Sequence, residues 1–148
     1  MNNHRQYGMN EAVGVAVQAA ADVEAWLRLL PNTVGVQNVE NDPAFQQRDI
    51  DLIWQTQGAA YEIEVKGDRW DKTGNFFLET HSNEERGTPG CFLYTEANYV
   101  FYYFVQTHVL YILPMPETRD WFLEQIDTFR ERRTTTPVGY NAHYTTLR

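Results

Sequence analysis

The sequence predicts a single α/β domain, and three observations carry that expectation. A proline-free, alanine-rich stretch near the N-terminus repeats its apolar residues at helical spacing, two β-rich segments flank a short Gln-Gly turn, and two aromatic runs in the second half read as adjacent strands. The chain has 148 residues, 43% of them hydrophobic and 22% charged. A chain of this length buries about 70% of its unfolded surface on folding, so one core suffices without disulfide or structural metal.

The helix runs from Glu11 to Leu30, with Val15, Ala19, Val23, Trp26, Leu27 and Leu30 on one side. Asn10 can cap it, Glu11 suits the positive end of its dipole, and Pro31-Asn32 stops it. Three strands follow, at 33–39, 50–56 and 61–67, the last two joined as a hairpin through Gln57 and Gly58. After a polar loop, residues 67–74, the run 75–80 (NFFLET) reads as another strand, and 81–91 is turn chemistry throughout. The aromatic runs 99–106 and 108–113 read as neighbouring strands divided by Thr107. Pro116 then opens a second helix, reaching Arg133, with Trp121, Phe122, Ile126 and Phe129 on one face and Arg130, Arg132 and Arg133 at its negative end. From about Thr134 the tail is Thr-rich and is expected to be loosely ordered, within a single domain spanning 1–148.

Composition excludes several classes. Cys91 is the sole cysteine, so the chain has no internal bridge and does not read as a secreted disulfide scaffold. The N-terminus lacks the continuous apolar segment of a signal peptide, and the longest apolar run, Tyr99 to Val105, falls far short of the roughly 20 residues of a membrane span. A cytoplasmic protein with no membrane partner is expected. A net charge of −8 argues against binding nucleic acid by bulk charge alone. His4, His81, His108 and His143 lack the close spacing of a zinc site.

The stretch 49–69 carries the chemistry. Residues two apart on a strand share a face, so Glu62, Glu64 and Lys66 point one way while Tyr61, Ile63 and Val65 point the other. The hairpin brings Asp51 alongside them. Two carboxylates and an ammonium suit Mg²⁺-assisted phosphodiester hydrolysis: oxygens bind the cation, which lowers the pKa of a bound water, and the ammonium orients that water.

Asp51, twelve intervening residues and then Glu64-Val65-Lys66 resemble the D…(D/E)xK signature of the PD-(D/E)xK nuclease superfamily, which includes restriction endonucleases, Holliday-junction resolvases and some homing endonucleases. The resemblance covers about Glu11 to Lys66. It implies a restriction-endonuclease-like fold, a central mixed β-sheet flanked by helices, with Asp51 and Glu64 as metal ligands and Lys66 as the catalytic lysine. It also implies Mg²⁺ as cofactor, with Mn²⁺ able to substitute, and DNA as substrate. Many members place a glutamate on the first helix near the site; Glu24 is the candidate, with Glu11 second, although Glu24 also suits an ion pair with Arg28. Asp49 competes with Asp51 for the first aspartate, and Glu79 either reaches the site or faces water. The family's long helix after the motif strand is replaced here by NFFLET.

Arg48, Arg69 and Lys72 are the candidate nucleic-acid contacts, flanking the motif where local potential can offset the global charge. The leading expectation is a metal-dependent DNA endonuclease of phage, mobile-element or restriction type. So small a chain is expected to act as a homodimer or homotetramer, partly through the aromatic strands 99–106 and 108–113. Two alternatives stand beside it: a catalytically inactive nuclease-like protein that binds nucleic acid or regulates, such as an excision-control factor, and an acidic interaction module without a nucleic-acid role.

Overall fold

The computed structural model of the chain describes residues 9–69, 75–83, 88–135 and 141–147. It is an α/β protein whose elements run, in order, α1 (Met9–Leu29), β1 (Thr33–Asn38), α2 (Pro43–Gln46), β2 (Leu52–Thr56), β3 (Ala60–Asp68), β4 (Phe76–Asn83), β5 (Thr88–Pro89), α3 (Cys91–Tyr94), β6 (Tyr99–Phe104), β7 (Val109–Pro114), α4 (Glu117–Glu124), β8 (Arg130–Thr135) and β9 (Asn141–Leu147). Five strands form a mixed sheet in the order β1-β2-β3-β6-β7. Its pairs are antiparallel except β3 with β6, which is parallel. Parallel neighbours need a crossover, and here β4, β5 and α3 supply it instead of a long helix.

Each face of the central sheet has its own core. On one, Ala19, Val23 and Leu27 of α1 pack against Leu52, Ile63 and Phe101. On the other, Val100, Tyr102 and Phe104 of β6 meet Leu78 of β4, Phe92 of α3 and Phe122 of α4. Strand alternation makes this double burial possible, since consecutive residues of β6 serve opposite cores. Gly67 sets how closely α1 lies on β3: a Cβ there would come 2.8 Å from the Ala19 Cβ and 3.1 Å from the Val15 carbonyl oxygen. Gly67→Ala is therefore expected to force the helix outward and cost about 1–3 kcal/mol in denaturant unfolding. An unchanged midpoint would show that α1 is not clamped at that point.

The first helix, the three strands after it, the hairpin turn and the paired aromatic strands all form where the sequence predicts them. Other expectations are corrected. NFFLET is a strand, but β4 belongs to a second, four-stranded sheet of order β5-β4-β9-β8. The second helix ends at Glu124, and Ile126–Thr128 is a 3₁₀ turn in which the Thr128 hydroxyl donates to the Gln125 carbonyl at 2.6 Å. This side-chain bond competes with helix continuation, and Phe129 turns extended to stack on Phe122. Arg130, Arg132 and Arg133 consequently lie on strand β8, not at a helix end. The described residues from Thr134 on contribute the end of β8 and all of β9, which pairs with both β8 and β4. Among the described residues no helix is long and apolar enough to cross a membrane.

Candidate active site

Strand β3 carries the two faces its alternation dictates. Ile63 is fully buried under α1, with Val65 beside it, whereas Glu64 and Asp68, only 5% and 6% exposed, turn to the second layer. Lys66 shares that side: with Glu64 it lines a small crevice whose walls include Leu78 and Glu79 of β4 and Val100 and Tyr102 of β6. Between β3 and the second layer runs a polar tie. The Tyr102 hydroxyl donates to Asp68 and accepts the Phe77 N–H at 2.9 Å, so one buried phenol joins the motif strand to β4. Burial and the Asp68 charge together push the Tyr102 pKa up. Tyr102→Phe removes both bonds, one of them to a carboxylate, and is expected to cost about 2–4 kcal/mol of stability. A loss below the error of a denaturation curve would mean that this tie adds nothing net.

Asp51 enters the site from a turn that other elements hold in place. Asp49 adopts φ 58°, a left-handed conformation that aspartate tolerates better than most residues. Its carbonyl accepts the Thr95 hydroxyl at 3.0 Å, and the Arg48 carbonyl accepts the Glu96 N–H at 3.0 Å. Asn98 continues the attachment, donating its N–H to the Glu62 carbonyl at 2.7 Å. So anchored, Asp51 donates its own N–H to the Ile63 carbonyl at 2.9 Å, and its Oδ2 accepts the Val65 N–H at 2.8 Å. The carboxylate thus occupies a place in the β2–β3 ladder, at the residue between Glu64 and Lys66. Burial raises its pKa to about 6, opposed by the Val65 hydrogen bond and aided by the charges of Asp49 and Glu40.

Asp51 is thereby tied to β3 between Glu64 and Lys66, at one end of the β2–β3 pair. Asp49 stands beside Asp51, and its Oδ2 is buried with no hydrogen-bond partner. Glu79, weighed in the sequence as facing either the site or water, lies in the crevice with Glu64 and Lys66. Gly90 allows this: a Cβ there would sit 2.2 Å from the Glu79 carbonyl oxygen. Nothing in the local pattern of NFFLET marks Glu79, because β4 reaches β3 only through the second layer.

Other candidates are placed elsewhere. Glu24 is on α1, across the sheet from Glu64 and Lys66, 3.4 Å from Arg28, whose guanidinium also donates to the Val36 carbonyl at 2.6 Å. The structure does not bring it to the motif, and the i,i+4 ion pair accounts for it. The side chain of Glu11 lies outside what the structure describes. Arg48 pairs with Glu62 at 2.7 Å and Glu96 at 3.2 Å, so two carboxylates already engage this proposed phosphate contact. Arg69 follows β3 directly and is half-buried, and Lys72 falls outside the described residues.

The donor set suits a hard cation, since carboxylate oxygens of Asp51, Glu64 and Asp49 are the ligand type Mg²⁺ selects. Among the described residues, no group of three or more His, Cys, Asp or Glu is already gathered as a metal cage. Mg²⁺ commonly keeps several waters and takes one or two carboxylates plus substrate phosphate, so a partial set is chemically sufficient. Compared with protein-family models, with curated proteins and with solved structures, the chain matches none.

Proposed function

We propose that the protein is a Mg²⁺-dependent endonuclease that hydrolyses phosphodiester bonds in DNA, on a restriction-endonuclease-like fold of the PD-(D/E)xK type. The hydrogen bond from the Val65 N–H to Asp51 at 2.8 Å carries this reading, because it ties the first acid of the motif to the residue between Glu64 and Lys66. A bound Mg²⁺ would supply charge stabilisation and a more acidic water. Asp51 and Glu64 would hold the cation, with Asp49 beside them, and the Lys66 ammonium would neutralise and orient the attacking oxygen. Arg69 and Lys72, in the segment after β3, would meet the phosphate backbone, while Arg48 would have to exchange its carboxylate partners for phosphate.

A second reading, a nuclease-like protein that binds DNA or regulates without cutting, is favoured by one observation: Glu64 is only 5% exposed. Substrate reaches that carboxylate only if β4 and the crevice wall give way. Relaxation of supercoiled plasmid in Mg²⁺, abolished by chelation, is the expected result for the nuclease. Salt-sensitive binding in Ca²⁺ without cleavage in Mg²⁺ or Mn²⁺ would establish the second reading, and absence of both would remove nucleic acid from the function.

A further inference from the structure

A cluster of metal-ligating side chains lies on the face of the central sheet opposite the crevice. Asp22 of α1, Tyr103 of β6 and His108 of the β6–β7 turn converge there from distant parts of the chain, so no spacing in the sequence marks them. The Tyr103 hydroxyl donates to Asp22 Oδ2 at 2.8 Å and lies 2.7 Å from His108 Nδ1, which is itself 3.6 Å from the same Asp22 oxygen. Tyr103 is 6% exposed and belongs to the core beneath α1, with Ala19 and Val23. Packing therefore fixes the phenol, and the carboxylate and imidazole are brought to its oxygen.

His108 is held in a backbone conformation that histidine rarely takes. Its φ is 58°, and its N–H donates to the Phe104 carbonyl at 2.9 Å, closing the turn between β6 and β7. Glycine suits such a left-handed position best, and backbone strain of this kind gathers at functional sites. Carboxylate oxygen, phenol oxygen and imidazole nitrogen together suit a first-row transition cation, because imidazole favours Zn²⁺ and Cu²⁺ whereas Mg²⁺ takes oxygen ligands. The sides of the donor triangle, 2.7, 2.8 and 3.6 Å, leave a point just off its plane at about 2.1 Å from all three atoms, the length of a zinc bond to nitrogen or oxygen. Solvent reaches the cluster past His108, whose side chain is 67% exposed. Burial and the Asp22 hydrogen bond push the Tyr103 pKa up to about 12, so the phenol is neutral until a cation displaces its proton.

We propose that Asp22, Tyr103 and His108 form a transition-metal site separate from the crevice, selective for a divalent ion such as Cu²⁺ or Zn²⁺ over Mg²⁺. Binding exchanges the Tyr103 proton, released to solvent, for a metal–phenolate bond, while the imidazole ligates through Nδ1 and carries its own proton on Nε2. The ion ties α1 to the β6–β7 turn. Its third donor is a phenol, so the cluster is not a cage of His, Cys and carboxylate alone. Lying across the sheet from Glu64 and Lys66, the site is independent of the proposed hydrolysis.

Titration of the full, metal-stripped chain with Cu²⁺ in saturating Mg²⁺ tests this. The expected result is one tight site with a visible phenolate-to-copper charge-transfer band, one proton released per ion and a raised denaturation midpoint. Tyr103→Phe keeps the packed ring and should abolish the band. His108→Gly suits the left-handed turn, so it should remain folded while its Cu²⁺ affinity falls by about 10-fold or more. A parent without the band would overturn the proposal. So would a band that survives Tyr103→Phe, or an affinity unchanged in His108→Gly, which would assign the ion to His4, His81 or His143. Variants that lose metal-free stability yet bind Cu²⁺ as the parent does would reduce the cluster to a hydrogen-bonded latch between α1 and the turn.

Discussion

Lys66→Ala is expected to lower Mg²⁺-dependent DNA cleavage by about 10²-fold or more while leaving the protein folded. Lys66 is half-buried on the Glu64 face of β3, in a crevice that also receives Glu79, and its charge acts on the neighbouring Tyr102 hydroxyl. In phosphodiester hydrolysis, negative charge grows on the phosphoryl oxygens and the attacking oxygen. A fixed ammonium in a poorly hydrated crevice stabilises that charge more than it stabilises the resting substrate. Its loss should therefore appear in the cleavage rate at saturating DNA more than in DNA affinity. Lys66→Met keeps the apolar stem and separates packing from charge: it should be as inactive as the alanine variant and at least as stable. Cleavage by both variants at the parent's rate would take Lys66 out of the mechanism.

Asp51→Asn is expected to lose cleavage and metal response together while gaining stability without metal. The folded-state pKa of Asp51 is raised from 3.8 to about 6, chiefly by burial. The fold thus prefers the neutral acid. That preference contributes fully at pH below 3.8 and is lost as pH rises through about 6, so the ionised carboxylate is a liability at neutral pH. A shift of this size corresponds to roughly 2–3 kcal/mol. Asparagine keeps the shape and an oxygen to accept the Val65 N–H, but carries no charge at any pH. Without metal, the variant should be more stable than the parent at neutral pH by up to that amount, with the advantage gone in acid. Mg²⁺ should act in the opposite direction, stabilising the parent by binding its ionised carboxylates and leaving the variant nearly unaffected. Denaturant unfolding from acid to neutral pH, with and without Mg²⁺, measures both effects. Equal Mg²⁺ stabilisation of the two proteins would show that Asp51 is not a ligand and would transfer the role to Asp49. Equal metal-free pH profiles would show that Asp51 is not held in a desolvated place.

Much of this protein was readable from local periodicity. The four-residue spacing of Val15, Ala19, Val23 and Leu27 forms α1, and α1 packs that stripe on the sheet. The two-residue alternation of β3 puts Glu64 and Lys66 on one face and Ile63 and Val65 on the other, which is a property of any strand whatever surrounds it. Gln57-Gly58 sets the hairpin register that brings Asp51 beside that strand.

What periodicity does not encode is which element covers each face. The helix expected from Pro116 to Arg133 stops at Glu124, Phe129 turns back to stack on Phe122, and the chain runs on into β8, whose partner β9 lies beyond the segment that the helical pattern reads. Glu24 belongs to α1, but long-range packing lays that helix on the Val65 face and leaves Glu64 and Lys66 on the other side. Glu79 joins them through β4, from a different sheet. The raised pKa of Asp51 follows the same rule. A carboxylate's residue type is local, but its desolvation and the Val65 N–H aimed at it are set by the packed neighbours that tertiary structure assembles.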